Sequence, residues 1–140
     1  MRSAIAENIW ELLLSCILLV FVTGIAFFLY SQYRCRARLN LCTATAKNIE
    51  DAVAHAVYSG LSYYVRYVRL AALNSTHCRI YLQCTGNKLR LTVVCPGCGN
   101  RTLALTNFSL PCTPQSLVLQ PPFTQLKIVY TGKYIEFSEA

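Results

Sequence analysis

Between Glu11 and Arg34 no position is charged: residues 12–33 read LLLSCILLVFVTGIAFFLYSQY. These 22 residues match the roughly 20 that a helix needs to cross a hydrocarbon core. Trp10 precedes the run, and Tyr30 and Tyr33 close it, as rings that settle at bilayer–water interfaces do. The apolar stretch of a cleaved signal is shorter, about 7–15 residues, and SQYRCRARL offers no small-residue cleavage site after it. The pattern predicts a transmembrane helix over 12–33. Further on, residues 48–73 (NIEDAVAHAVYSGLSYYVRYVRLAAL) carry Val53, Val57, Leu61, Tyr64, Val68 and Ala72 on one helical stripe. That predicts an amphipathic helix, lying in the interface plane or packed on the domain that follows. Arg66, Arg69 and His55 weigh against a second span, because a charge in hydrocarbon costs about 2.5–3.5 kcal/mol. A second span would nevertheless return the C-terminal domain to the lumen and keep Arg34 to Lys47 in a cytosolic loop.

From Cys78 the pattern turns to short strand-like runs between turn residues. CRIYLQC and KLRLTVVC flank TGN; TLALTNF, SLVLQ, LKIVY and KYIEF follow, the last two joined by Thr131-Gly132 as a two-residue hairpin loop. Pro111, Pro114, Pro121 and Pro122 mark strand edges or loops. Six such runs predict a small β-sandwich or barrel. A core of this size is marginal alone and calls for a metal, disulfides, membrane docking or oligomerisation. The expected fold class is an α+β membrane protein. Residues 1–11 form a short extramembrane segment, 12–33 the transmembrane helix and 34–47 a basic, cysteine-containing juxtamembrane segment. Residues 48–73 form an amphipathic helix, and 74–140 a small all-β, cysteine-rich domain.

Composition agrees with a membrane protein: 54% of residues are hydrophobic and 14% charged. The net charge of +7 is scattered rather than gathered in a stripe, which suits anionic lipid headgroups and argues against nucleic acid. Arg34, Arg36, Arg38 and Lys47 follow the span, whereas Arg2 is opposed by Glu7 and Glu11 before it. The positive-inside rule then sets the N-terminus outside and the C-terminal domain in the cytosol, at the endoplasmic reticulum, Golgi or plasma membrane. Cys35 and Cys42, just beyond the span, are candidates for S-acylation, or else two free thiols.

The eight cysteines imply a disulfide framework in an oxidising compartment, or metal and lipid chemistry in the cytosol. If Gly86-Asn87 is the turn, Cys78 falls directly opposite Cys95 in a non-hydrogen-bonded pair, with Cα atoms about 4.5 Å apart. Cys98 folds back in the Cys-Pro-Gly-Cys-Gly knuckle, so three sulfurs gather at one end of the hairpin, and Cys84 is left out. Structural zinc takes four tetrahedral ligands, which makes Cys78, Cys95 and Cys98, with Cys112 or His77, the candidate set. The alternative is a Cys78–Cys95 or Cys78–Cys98 disulfide. Three acceptor signals for N-glycosylation, Asn74-Ser-Thr, Asn100-Arg-Thr and Asn107-Phe-Ser, oppose the flank charges by requiring a lumenal domain. The flank charges outweigh them, and the expected C-terminal domain is cytosolic. No carboxylate pair, phosphate loop or nucleophile with a nearby base stands out, so no enzyme is expected.

In layout the chain is similar to small accessory or envelope-type membrane proteins encoded by viruses. The likeness lies in the short acidic N-terminus (AENIWE), one uncleaved span and basic and cysteine residues at the membrane (YRCRARLNLC). It implies roles in membrane remodelling, assembly or host interference, with homo-oligomers among the possibilities. Ser15, Cys16, Thr23 and Gly24 offer small contacts between spans, although there is no GxxxG. The leading expectation is a membrane-anchored, non-enzymatic interaction protein with an unknown protein partner. The alternatives are a lumenal, disulfide-bonded glycoprotein modulator and an oligomeric ion-conducting span.

Overall fold

The computed structural model describes residues 2–106 and 112–140. In chain order the elements are α1 (Arg2–Tyr58), β1 (Tyr64–Arg69), α2 (Ala71–Thr76), β2 (Arg79–Gly86), β3 (Lys88–Cys95), β4 (Gly99–Thr106), β5 (Cys112–Leu119), β6 (Gln125–Tyr130) and β7 (Ile135–Glu139). The chain divides into two compact units, Met1–Arg34 and Cys35–Ala140.

In the first unit α1 is exposed on every side from Ile5 to Arg34. It is long and apolar enough to cross a membrane. Its one threonine is satisfied within the helix: the Thr23 hydroxyl lies 2.8 Å from the Leu19 carbonyl and 3.0 Å from that of Val20. At the end of the run the Arg34 guanidinium sits 5.7 Å from the centre of the Tyr30 ring, a cation–π contact.

In the second unit the rest of α1 has an apolar stripe of a different kind. Cys42, Ala46, Ile49, Val53 and Ala56 recur at steps of four and three, and all are fully buried. Gly60, with φ of +69°, lies just past the end of the helix, and β1 begins at Tyr64. The amphipathic helix expected over 48–73 therefore ends at Tyr58, and Leu61 is exposed. Beyond Gly60 the sequence YVRYVR is rich in tyrosine and valine, which favour strands, and β1 pairs antiparallel with β6 from Tyr64↔Tyr130 to Arg69↔Gln125. The expected juxtamembrane segment, 34–47, is helical and belongs to α1.

The strands form one curled, mixed sheet of seven, in the order β1-β6-β7-β5-β2-β3-β4, in place of the two sheets or closed barrel that the run pattern predicts. Alternation assigns its faces. Ile80, Leu82 and Cys84 of β2, Leu89, Leu91 and Val93 of β3, Leu126 and Ile128 of β6, and Ile135 and Phe137 of β7 are buried. They share one core with the buried stripe of α1 and with Leu70 and Leu73 around α2. A sheet with one apolar face needs a layer over it, and the second half of α1 is that layer. The strands from 78 to 95 pair as the sequence implies, Arg79↔Val94 through Thr85↔Lys88. The last hairpin differs: Tyr130 pairs with Ile135 rather than Lys133, so the loop has four residues. Gly132 makes this loop possible. Its φ is +80°, and a Cβ there would lie 2.9 Å from the Ser62 carbonyl oxygen.

The join between β5 and β7 is thin, a single parallel bridge at Cys112↔Ile135. The Gln115 side chain extends it by acting as a strand backbone would. Its amide N–H donates to the Phe137 carbonyl, and its carbonyl accepts the Phe137 N–H at 3.1 Å. Gln115→Leu removes both bonds and leaves two backbone groups unpaired, at about 1–3 kcal/mol each. Urea unfolding of that variant is expected to show a midpoint well below that of the parent, with Gln115→Glu, which keeps one acceptor, in between.

Candidate functional site

The chemistry of this chain is concentrated in its sulfurs. At the open end of the β2–β3 hairpin, one step beyond Arg79↔Val94, Cys78 and Cys95 form a disulfide with Cα atoms 4.3 Å apart. The spacing is that of a close, non-hydrogen-bonded cross-strand pair, as the register implies. The turn that follows is tight: the Cys98 N–H donates to the Cys95 carbonyl at 2.9 Å, and Gly97 and Gly99 take φ of +75° and +97°. This turn presents Cys98 to α1, where it is bonded to Cys35 across a Cα separation of 5.0 Å. The third disulfide, Cys84–Cys112, joins β2 to β5 beside the irregularity between Cys84 and Gly86, with Cα atoms 6.0 Å apart. Helix α1 and strands β2, β3 and β5 are thus covalently tied.

Cys42 remains a free thiol and is wholly buried. Its sulfur and those of Cys78 and Cys95 all lie within 4.8 Å of one another. Thr76 fixes its state. The Thr76 hydroxyl is 2.6 Å from the Ala72 carbonyl and 2.8 Å from the Cys42 sulfur. With its one proton given to Ala72, the hydroxyl accepts from the Cys42 S–H. Burial pushes the Cys42 thiol above its ordinary range.

The four candidate zinc ligands are not brought together. Cys78 and Cys95 are partners, whereas Cys98 and Cys112 belong to the other two disulfides. His77 is exposed and ends α2 in the left-handed conformation. The third sulfur near the hairpin end is Cys42 in place of Cys98. These three cysteines are close enough to hold a metal ion, yet two of them are joined to each other. Cys84, expected to stand alone, is paired with Cys112. Of the two acylation candidates, Cys35 is half-buried in a disulfide and Cys42 is buried. One signal in the sequence bears on this: Cys35, Cys42, Ile49 and Ala56 are spaced by sevens, which sets both cysteines on the core stripe of a helix.

Of the acceptor asparagines, Asn74 in α2 and Asn100 in β4 are exposed, and Asn107 lies outside the described residues. The outer face of the sheet carries exposed Arg79, Lys88 and Arg90. Lys88 and Arg90 border an open groove of about 570 Å³ with Gln83, Thr85, Pro114 and Ser116, and no carboxylate lines it. His55 is exposed, its ring 5.6 Å from that of Tyr64. No family model matches the chain, and no match to it was found among curated proteins or solved structures.

Proposed function

We propose that this protein is a membrane-anchored, non-enzymatic interaction protein. Its disulfide-bonded domain, Cys35–Ala140, works on the lumenal or extracellular side, and residues 12–33 are its anchor. The observation that carries the reading is the pairing of six of the eight cysteines into three disulfides. Such bonds persist in oxidising compartments and are rare in the cytosol. The exposure of Asn74 and Asn100 supports it, since both can accept glycan without disturbing the core. Arg34, Arg36 and Arg38 point the other way, but Arg36 and Arg38 lie in the folded unit, and domains translocate largely regardless of charge. The partner is a protein that meets the basic outer face around Lys88 and Arg90.

The second reading is a cytosolic domain that holds zinc, favoured by the closeness of the Cys42, Cys78 and Cys95 sulfurs. Among the described residues only two of the expected ligands, Cys78 and Cys95, stand with Cys42, and a structural zinc site needs four. Treatment of the expressed chain with an endoglycosidase separates the two. The expected result is a gain in mobility that shrinks with Asn74→Gln and again with Asn100→Gln. Unchanged mobility in every variant, together with eight alkylatable thiols after lysis under a trapping reagent, would overturn the lumenal reading.

A further inference from the structure

A buried free thiol against a disulfide is a chemical arrangement as well as a packing one. Six cysteines are paired, and the exposed Cys16 lies within the apolar run, remote in sequence from any partner. Cys42 alone of the two free cysteines has a disulfide beside it, with both of its sulfurs within 4.8 Å. Three elements supply the three sulfurs: α1 brings Cys42, the residue before β2 brings Cys78, and β3 brings Cys95. Cys35, two helical turns before Cys42 on the same stripe, already bonds to the loop after β3, so the helix is held in place against the hairpin end.

We propose that Cys42, Cys78 and Cys95 form a thiol–disulfide exchange centre that gives the domain two covalent states. The Cys42 sulfur, on losing its proton, attacks one sulfur of the Cys78–Cys95 bond. A new S–S bond forms from Cys42 to that cysteine, the old one breaks, and the other cysteine leaves as thiolate and takes up a proton. One disulfide and one thiol are present before and after, so neither oxidant nor reductant is consumed. In the first state the bond closes the hairpin on itself. In the second it crosslinks α1 to the sheet at a further point beyond Cys35–Cys98. Thr76 holds the first state by accepting a hydrogen bond from the Cys42 S–H, and exclusion of water keeps outside thiols from competing.

The inference rests on the disulfide-bonded reading, and one experiment tells the two apart. The full chain in detergent micelles is alkylated to block free thiols, digested without reduction and mapped by mass spectrometry. The parent protein should give the Cys78–Cys95 peptide; its absence, with no Cys42-linked peptide in its place, overturns the disulfide-bonded reading and this inference with it. Cys95→Ala should then convert most molecules to a Cys42–Cys78 link, and Cys78→Ala to a Cys42–Cys95 link. In both, the Cys35–Cys98 and Cys84–Cys112 peptides report that the domain is folded. Recovery of Cys42 as an alkylated free thiol in both variants, with those two peptides intact, overturns the exchange centre alone. Should either variant scramble, the parent decides: a minor Cys42-linked peptide, present there and lost in Cys42→Ser, supports exchange, and its absence refutes it.

Discussion

Reduction by a dithiol is expected to unfold the domain Cys35–Ala140 outright, with loss of its strand signal in circular dichroism at about 37 °C. The disulfides bridge sequence separations of 17, 28 and 63 residues. Chain-entropy estimates for loops of such lengths are about 3–4.5 kcal/mol each. The loops nest and overlap, so the contributions fall short of additive, and on the order of 8–10 kcal/mol is a fair combined figure. A typical domain has about 5–15 kcal/mol in all. A sheet with a single helix over it has no large reserve to set against that loss. A domain that kept its unfolding midpoint under full reduction would count against the pairing described here.

Ile49→Asp is expected to abolish folding, whereas Ile49→Val lowers stability by only about 0.5–1.5 kcal/mol. Ile49 is fully buried at the middle of the α1 stripe, between the sheet and the rest of the helix. A carboxylate there loses its water and finds no compensating charge, which costs several kcal/mol beyond the cavity left by the aliphatic side chain. The same logic governs truncation. A chain begun at Cys35 keeps Cys42, Ala46, Ile49, Val53 and Ala56 and is expected to fold and remain soluble. One begun at Tyr63 bares the apolar face of Ile80, Leu82, Leu91 and Ile128 and is expected to aggregate. Expression of the two, followed by size-exclusion chromatography, checks this. A monodisperse product from the shorter chain would mean that the helix is dispensable.

The local devices of this fold could be read from the chain, and its long-range ones could not. The β2–β3 hairpin was legible because register between strands joined by a two-residue turn follows from counting, and counting brings Cys78 to Cys95. The long apolar helix over 12–33 was legible because an uncharged run of that length is long enough to cross a bilayer and exceeds what a small core can cover. The break at Tyr58 was harder. Val53 and Val57 continue in step with Leu61, Tyr64 and Val68, and a helical stripe and a strand rich in valine and tyrosine share those positions. Gly60 was the available cue. Cys35–Cys98 and Cys84–Cys112 were out of reach, since each joins elements whose adjacency depends on the whole sheet order. Dividing the helix at residue 47 also hid the spacing by sevens that aligns Cys35 and Cys42 with Ile49.

The Cys35–Cys98 bond has a mechanical consequence. Cys35 is the first residue of the second unit, next to Arg34 at the end of the first. Tension drawn between the apolar helix and the C-terminus enters at Cys35 and crosses the sulfur bridge to Cys98, leaving Arg36 to His77 slack. From Cys98 the short covalent path runs back to Cys95, across to Cys78, along β2 to Cys84 and across to Cys112, so the α1 stripe and β1 carry no load and only the chain beyond Cys112 can be drawn out in full. A pulled molecule therefore lengthens chiefly by the contour of the chain beyond Cys112 and stops, and its tether yields at a fixed extension as long as the bridges stay closed.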